Sequence, residues 1–248
     1  MPTLPTKLKN DAISEAVFEI RFDLGNAIPE IAVGRLADSD KWPKFVVTRL
    51  PFADLPQQLR IASPSLIYQP LFELKLRDDN SRIIKVGTQT VICAVTKPYP
   101  GWDEFNRLHI LAINNLFDAI PDVTVRRLGL RYINALNTEL HHVAAISDLQ
   151  LGVSVGGENL TTNYNLNFRV PGNETTECLI RVATKDFAMP PLDGPEHTLI
   201  DIDTYTPSSI QMHSKNEIIE WLRNAHEIKN RAFFNLFSSE QIEVMREK

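Results

Sequence analysis

The chain has 248 residues, of which 43% are hydrophobic and 23% are charged. These proportions are typical of a globular protein that is long enough to bury a sizeable core, and they exclude an intrinsically disordered chain. The formal net charge of -5 argues against a surface built to neutralise nucleic-acid phosphates, so bulk nucleic-acid binding is not expected.

The two cysteines, Cys93 and Cys178, are flanked by apolar residues inside strand-like runs. A free cysteine in such surroundings behaves as a small hydrophobic residue, so we predict that both are buried and reduced. The N-terminus lacks the apolar core of a signal peptide, and no run approaches the roughly 18 apolar residues of a membrane span. We therefore expect a cytoplasmic protein with no membrane segment.

The first predicted elements are a strand, a short helix and an edge segment. Residues 16–22 alternate apolar residues such as Phe18 and Ile20 with charged ones, which predicts a strand that is buried on one face. Helical spacing follows over 28–36. Prolines bracket 44–50, which predicts an edge strand or a covering loop.

A central unit follows, built of a hairpin, a helix and a return strand. Alternation over 71–77 leads through a turn into 82–95, which predicts a long strand or a hairpin. Apolar residues at helical spacing run from the Pro-Gly turn at 100–101 to Ile120. The return strand has Gly129 at its middle, which marks a bulge, leaves space for another group near the backbone, or lies under the bulk of Trp102 or another helix residue.

The second part of the chain repeats this pattern. Alternating residues over 164–170, a turn at 171–173 and further strands at 178–182 and 198–204 lead into a long amphipathic helix over 215–237. Both parts of the chain thus run through strands into an amphipathic helix.

We therefore predict an α+β fold with mainly antiparallel strands and two principal amphipathic helices. The repeated pattern predicts two similar sheet-plus-helix halves at 1–137 and 158–248, joined by a linking loop at 138–157. The halves either share one continuous sheet or pack as two lobes.

Several segments resemble the signature blocks of a known family. They are EAVFEIRF at 15–22, the stretch 86–105 ending in YPGWDEF, RLGLRYIN at 127–134, LIDID at 199–203, and the later His226 and Phe234. Together they resemble a bacterial family described as sporadically distributed proteins of about this length. Such patchy distribution is typical of accessory genes, including defence modules, so the resemblance implies an interaction role.

Two aspartates are candidates for ligand binding. Asp201 and Asp203 point to one face of a strand, and carboxylates so placed can hold a magnesium or calcium ion. No third ligand with supporting spacing is nearby. The alternative is a solvated strand face or salt bridges to Arg126, Arg127 or Arg131.

Two arginines form a second candidate pair. Arg127 and Arg131 are four residues apart on one face of a strand, where they could grip a phosphate or a carboxylate. The alternative is cross-strand pairing with Glu19 or Glu73 on neighbouring strands.

The usual enzyme signatures are absent from the sequence. It contains no phosphate-binding glycine loop, dinucleotide fingerprint or nucleophile elbow. His141 and His142 lack a cysteine or carboxylate at zinc-ligand spacing. The sequence therefore predicts neither a cofactor nor a metal, and it predicts His109 to be a core residue.

Four residues are candidates for partner binding. Tyr99 and Trp102 stand at a Pro-Gly turn, where they form either a recognition knob or a cap that seals the sheet. Trp221 and His226 lie on the long helix and are the other two candidates.

Our leading hypothesis is a non-enzymatic binding or regulatory component that works through protein contacts, as a homo-oligomer or in a complex. The rival is a small-ligand binding protein or a metal-dependent enzyme with its site on the sheet face, formed by Arg127, Arg131, Asp201 and Asp203.

Overall fold

The computed structural model of the protein describes residues 8–63, 66–159 and 164–246, in which eleven strands and six α-helices alternate. The strands are β1 Ile13–Asp23, β2 Phe45–Arg49, β3 Pro70–Leu76, β4 Asp79–Gly87, β5 Thr90–Thr96, β6 Thr124–Leu136, β7 Ser154–Val155, β8 Glu158–Asn159, β9 Asn165–Asn173, β10 Thr176–Thr184 and β11 Thr198–Tyr205. The helices are α1 Pro29–Leu36, α2 Gln57–Ala62, α3 Trp102–Ala119, α4 Thr138–His141, α5 Lys215–Phe234 and α6 Ser239–Met245.

Nine strands form one large antiparallel sheet in the order β2-β3-β4-β5-β1-β6-β11-β10-β9, and β7 and β8 pair separately. This confirms the predicted α+β fold. Outward from β1 the order is β5, β4, β3, and outward from β6 it is β11, β10, β9. In chain order each series of strands is followed by a long helix, α3 or α5, as the repeated sequence pattern predicts.

The chain divides into two compact units, each discontinuous in sequence. The 16–130 unit comprises Ala16–Leu130 and Tyr205–Arg223. The 131–204 unit comprises Met1–Glu15, Arg131–Thr204 and Asn224–Lys248. The unit boundaries fall inside β1, β6, β11 and α5, and the division of the chain at 138–157 stays a prediction.

The core of the 16–130 unit lies between β1 and α3. The side chains of Phe18, Ile20 and Phe22 on β1 are fully buried, as the alternation predicts. The ring of His109 on α3 lies 4.6 Å from the ring of Phe18, between centroids. Helix α3 therefore covers the apolar face of β1, because a half-polar strand is stable only when its apolar side is removed from water.

Helix α1 is held at its C-terminal end. It begins at Pro29, whose fixed φ suits the first helical position, and Glu30 complements the helix dipole. The fully buried Trp42 donates a hydrogen bond from Nε1 to the carbonyl of Leu36 at 2.7 Å. The predicted helix and the predicted edge strand β2 are both confirmed.

The core of the 131–204 unit joins β10 and β11 to α5 and α6. Ile180 on β10, Ile202 on β11, Phe233 on α5 and Met245 on α6 belong to one cluster of buried side chains. Cys178 belongs to it as well, and both cysteines are buried and free, as predicted. No helix within the described part of the chain combines the length and apolar character that crossing a bilayer requires.

The turn between β9 and β10 lies three residues later than the sequence predicts. Residues 171–173 belong to β9, and Glu174 and Thr175 make the turn. The pairing register of β10 with β9 shifts between Thr176 and Cys178, which marks a β-bulge. A Cβ atom on Gly172 would lie 1.9 Å from the carbonyl oxygen of Thr176, so this strand needs a glycine there.

We expect Gly172→Ala to lower the free energy of unfolding by about 1–3 kcal/mol, because the added methyl group would displace backbone atoms of the facing strand. Urea unfolding followed by circular dichroism measures this change. Gly152→Ala is the control, since a Cβ there meets nothing within 4 Å. Equal stability of the two variants would contradict the close approach.

Candidate functional site

Arg131 and Asp201, two of the predicted ligand-binding residues, bind each other. The Arg131 guanidinium donates from Nε to Oδ1 at 2.8 Å and from Nη2 to Oδ2 at 2.6 Å. Asp201 is only 6% exposed. The hydrogen bonds that Arg131 donates to Asp201, together with the nearby carboxylates of Asp203 and Glu15, raise the pKa of Arg131. A bidentate pair of this kind satisfies both side chains.

Arg127 pairs elsewhere, within the 16–130 unit. Its Nη1 donates to Oε2 of Glu19 at 2.7 Å, and its guanidinium carbon lies 5.2 Å from the ring centroid of Tyr205. The side chain also crosses Gly129, where a Cβ would lie 2.8 Å from Nη1. The space that Gly129 leaves near the backbone is thus occupied by Arg127 itself.

These contacts agree with the alternatives to ligand binding, in which the charged side chains form salt bridges with one another. Arg131 donates hydrogen bonds to Asp201, and Arg127 donates one to Glu19. In the described residues no group of three or more histidine, cysteine or acidic side chains is arranged to hold a metal ion.

Tyr99 and Trp102 lie beside buried aromatic rings at the start of α3. The ring of Tyr99 lies 6.3 Å from that of Phe105, and the ring of Trp102 lies 5.8 Å from that of His109. His109 is fully buried and also contacts Phe105 at 3.9 Å. Tyr99 and Trp102 are half-buried, so this arrangement is a cap over the end of the core that leaves part of both rings exposed.

The two candidates on α5 differ in exposure. Trp221 is 2% exposed and belongs to the core, so its side chain is not available to a partner in this structure. His226 is half-buried and lies 6.4 Å from the ring of Tyr132. Burial and the nearby Lys229 lower the pKa of His226 to about 3, so its imidazole is neutral at physiological pH.

Lys229 is a buried lysine that the sequence analysis missed. It is 7% exposed, and its Nζ lies 3.9 Å above the ring centroid of Tyr132. The Nζ donates to Oδ1 of Asn230 at 2.6 Å. Burial lowers the pKa of Lys229 to about 7, although the carboxylate of Asp11 acts in the opposite direction. Lys229 lies four residues after Ala225, which is buried, and residues four apart share one face of a helix. This spacing was the signal in the sequence that could have identified Lys229 as buried.

A groove of about 260 Å³ is the candidate binding site, and it lies within the 16–130 unit. Helix α1, strands β2 and β3 at the sheet edge, and residues 53–60, which include the first turn of α2, border it; we call it the α1–α2 groove. Its lining includes Glu30 and Gly34 of α1, Leu71 and Phe72 of β3, and Gln57 and Arg60 of α2.

The far side of the groove is fastened to the edge strand β2. Arg49 on β2 donates from Nε to Oδ1 of Asp54 at 2.9 Å and from Nη2 to the carbonyl of Ala53 at 2.9 Å. These bonds hold the 3-10 turn Pro51–Asp54 that leads into α2. The fixed position of α1 and the fastened turn together keep the two sides of the groove apart.

Gly34 leaves the groove open on the α1 side. It lies inside α1, where glycine costs about 0.5–1 kcal/mol relative to alanine. A Cβ at this position would meet nothing within 4 Å, and its backbone does not need glycine. Neither local conformation nor packing requires a glycine here, so a larger side chain can be introduced at this position to test the groove.

Arg60 presents an unsatisfied donor in this groove. Its Nε is shielded from solvent and has no hydrogen-bond acceptor among the described residues. The Arg60 guanidinium carries a positive charge, so a carboxylate supplied from outside the chain would be attracted to this side of the groove. The groove thus combines apolar walls such as Leu71 and Phe72 with one guanidinium that lacks a partner for its Nε.

Comparisons with known proteins identify no family. The chain matches no protein-family model, and no curated protein matches it. A solved structure described as the rolling circle replication initiator protein from Geobacillus stearothermophilus is similar with a TM-score of 0.28 and 10% identity, covering 87% of this chain and 78% of that chain. The resemblance to the sporadically distributed bacterial family stays a prediction.

We expect Lys229→Met to stabilise the protein most at pH 7 and below. Because the folded state lowers the pKa of Lys229 to about 7, the unfolded chain binds a proton that the folded chain does not bind between pH 7 and the ordinary lysine pKa of 10.5. The stability of the wild type should therefore rise across this range relative to the variant, by an amount on the order of a few kcal/mol.

Urea unfolding at a series of pH values tests this expectation. The partly exposed Lys215, which pairs with Asp118, provides the control Lys215→Met, whose profile should run parallel to that of the wild type. A Lys229→Met profile that is also parallel would show that the lysine keeps an ordinary pKa in the folded protein.

Proposed function

We propose that the protein is a non-enzymatic binding or regulatory component that acts through protein contacts in the cytoplasm, and that a partner segment binds in the α1–α2 groove. The observation that carries this proposal is a groove in which apolar walls such as Leu71 and Phe72 stand beside the guanidinium of Arg60. The partner segment supplies apolar side chains together with a carboxylate for Arg60.

The size of the groove suits the anchoring side chains of a protein segment. Small-molecule sites usually have volumes of about 300–1,000 Å³ and enclose most of the ligand. At about 260 Å³ this groove has room for a few side chains. Anchoring side chains of a larger partner fit a site of this volume, because the rest of the partner lies outside it.

The two helices that border the groove also carry exposed apolar side chains. Ile28 and Ile31 in or beside α1, and Leu55 and Leu59 in or beside α2, are exposed large hydrophobic residues. Exposed apolar side chains that cluster in a few neighbouring segments are typical of a protein contact surface. A partner that binds the groove also has apolar surface on both bordering helices to contact.

The sheet-face alternative has weaker support. A phosphate or carboxylate ligand would have to displace Asp201 from both of its bonds to Arg131 and leave that carboxylate almost fully buried without a counter-charge. Removing one partner from such a pair costs several kcal/mol. The implied membership of an accessory or defence-type bacterial module fits a binding component, and it rests on the sequence resemblance alone.

We expect peptides selected from a random displayed library against the wild-type protein to share an acidic residue next to large apolar residues. Gly34→Trp should reduce the affinity of these peptides at least tenfold, because the indole fills the groove, and Arg60→Glu should do the same by repelling the acidic residue. Isothermal titration with one synthetic selected peptide measures both effects.

Matched substitutions outside the groove serve as controls. Gly152→Trp places an indole at an exposed glycine with open space around it, and Arg223→Glu reverses an exposed charge on α5. Both variants should bind the peptide as the wild type does. Peptides that bind Gly34→Trp and wild type equally would show that the groove is not the binding site.

A further inference from the structure

A loop in the 131–204 unit presents apolar side chains to solvent. Phe187 is 46% exposed and Met189 is 63% exposed, whereas Ala188 between them is buried. Ala188 packs in a small cluster with Ile133 and Leu199. The backbone of residues 185–190, which we call the 185–190 loop, is therefore anchored while its two large apolar side chains point outward.

Hydrogen bonds hold this loop in one conformation. The Arg181 guanidinium donates from Nη2 to the carbonyl of Phe187 at 2.7 Å and from Nη1 to the carbonyl of Met189 at 3.0 Å. Lys185 donates from Nζ to the carbonyl of Gly194 at 2.8 Å. A loop fixed in advance loses little conformational entropy when it binds, so its exposed residues are suited to recognition.

We propose that the protein self-associates head to tail, with the 185–190 loop of one copy bound in the α1–α2 groove of the next copy. This inference rests on the proposed function and names the partner segment. The loop has the composition that the groove requires, because the carboxylate of Asp186 stands next to the aromatic ring of Phe187 and both side chains are exposed.

The charges on the two surfaces are complementary. The carboxylate of Asp186 in the loop is opposite in charge to the guanidinium of Arg60, which lines the groove. Lys185, its neighbour, matches Glu30, which lines the groove on the α1 side. One positive and one negative charge on each surface favour one orientation of the loop and disfavour the reverse one.

A contact between two different surfaces of the same chain has a geometric consequence. Each copy offers one loop and one groove, so association continues until the chain of copies closes into a ring or remains an open filament. The contact involves few side chains, so a weak association is expected, and it should weaken further as salt screens the paired charges.

Two variants and their mixture test this proposal by sedimentation velocity. Gly34→Trp blocks the groove and keeps the loop, and Phe187→Ser combined with Met189→Ser blunts the loop and keeps the groove. We expect the wild type to self-associate with increasing concentration and each variant to be a monomer. The equimolar mixture should form a dimer of the two variants, because one supplies the intact loop and the other the intact groove.

Val155→Ser is the control for loss of exposed apolar surface, since Val155 is an exposed residue outside the loop, and this variant should associate as the wild type does. A wild type that stays monomeric at every concentration, variants that associate normally, or a mixture that stays monomeric would overturn the inference. If the selected peptides bind the groove while the wild type is monomeric, the inference fails and the proposed function stands.

Discussion

The constraint on which the 16–130 unit depends is the removal of one face of β1 from water. Phe18, Ile20 and Phe22 are fully buried, and helix α3 covers them. At about 25 cal/mol per Å² of buried apolar surface, these side chains each contribute roughly 1.5–3 kcal/mol. Once α3 lies on the sheet, α1 contacts it, and α1 in turn forms one side of the α1–α2 groove.

Charged side chains on β1, β6 and β11 pair with one another across neighbouring strands. Glu19 accepts from Arg127 in the 16–130 unit, and Asp201 binds Arg131 in the 131–204 unit. Such pairs add modest stability at exposed positions, but Asp201 is nearly buried and depends on its partner. These charged pairs therefore stabilise the sheet, whereas Arg60, which lines the groove, has an Nε with no acceptor in the described chain.

Alternation and helical spacing predicted much of the fold, because burying one face imposes a period on the residues. The burial of Phe18 and the helix after the Pro-Gly turn are examples. The pairing of Arg131 with Asp201 across 70 residues could not be predicted uniquely, since the register of β6 and β11 was unknown. The groove escaped the sequence analysis because α2 has only six residues, too few to show a period, and because Arg60 resembles any surface arginine.

Site-specific photo-cross-linking in the native cell tests the central claim that the α1–α2 groove is a binding site. A photoreactive phenylalanine at Gln57 lies in the groove, and the same residue at the exposed neighbour Gln58 is the control, since Gln58 does not line the groove. We predict that the adduct at Gln57, mapped by mass spectrometry, joins a segment with an acidic residue beside large apolar ones. No adduct at Gln57, or the same adducts at both positions, would contradict the claim.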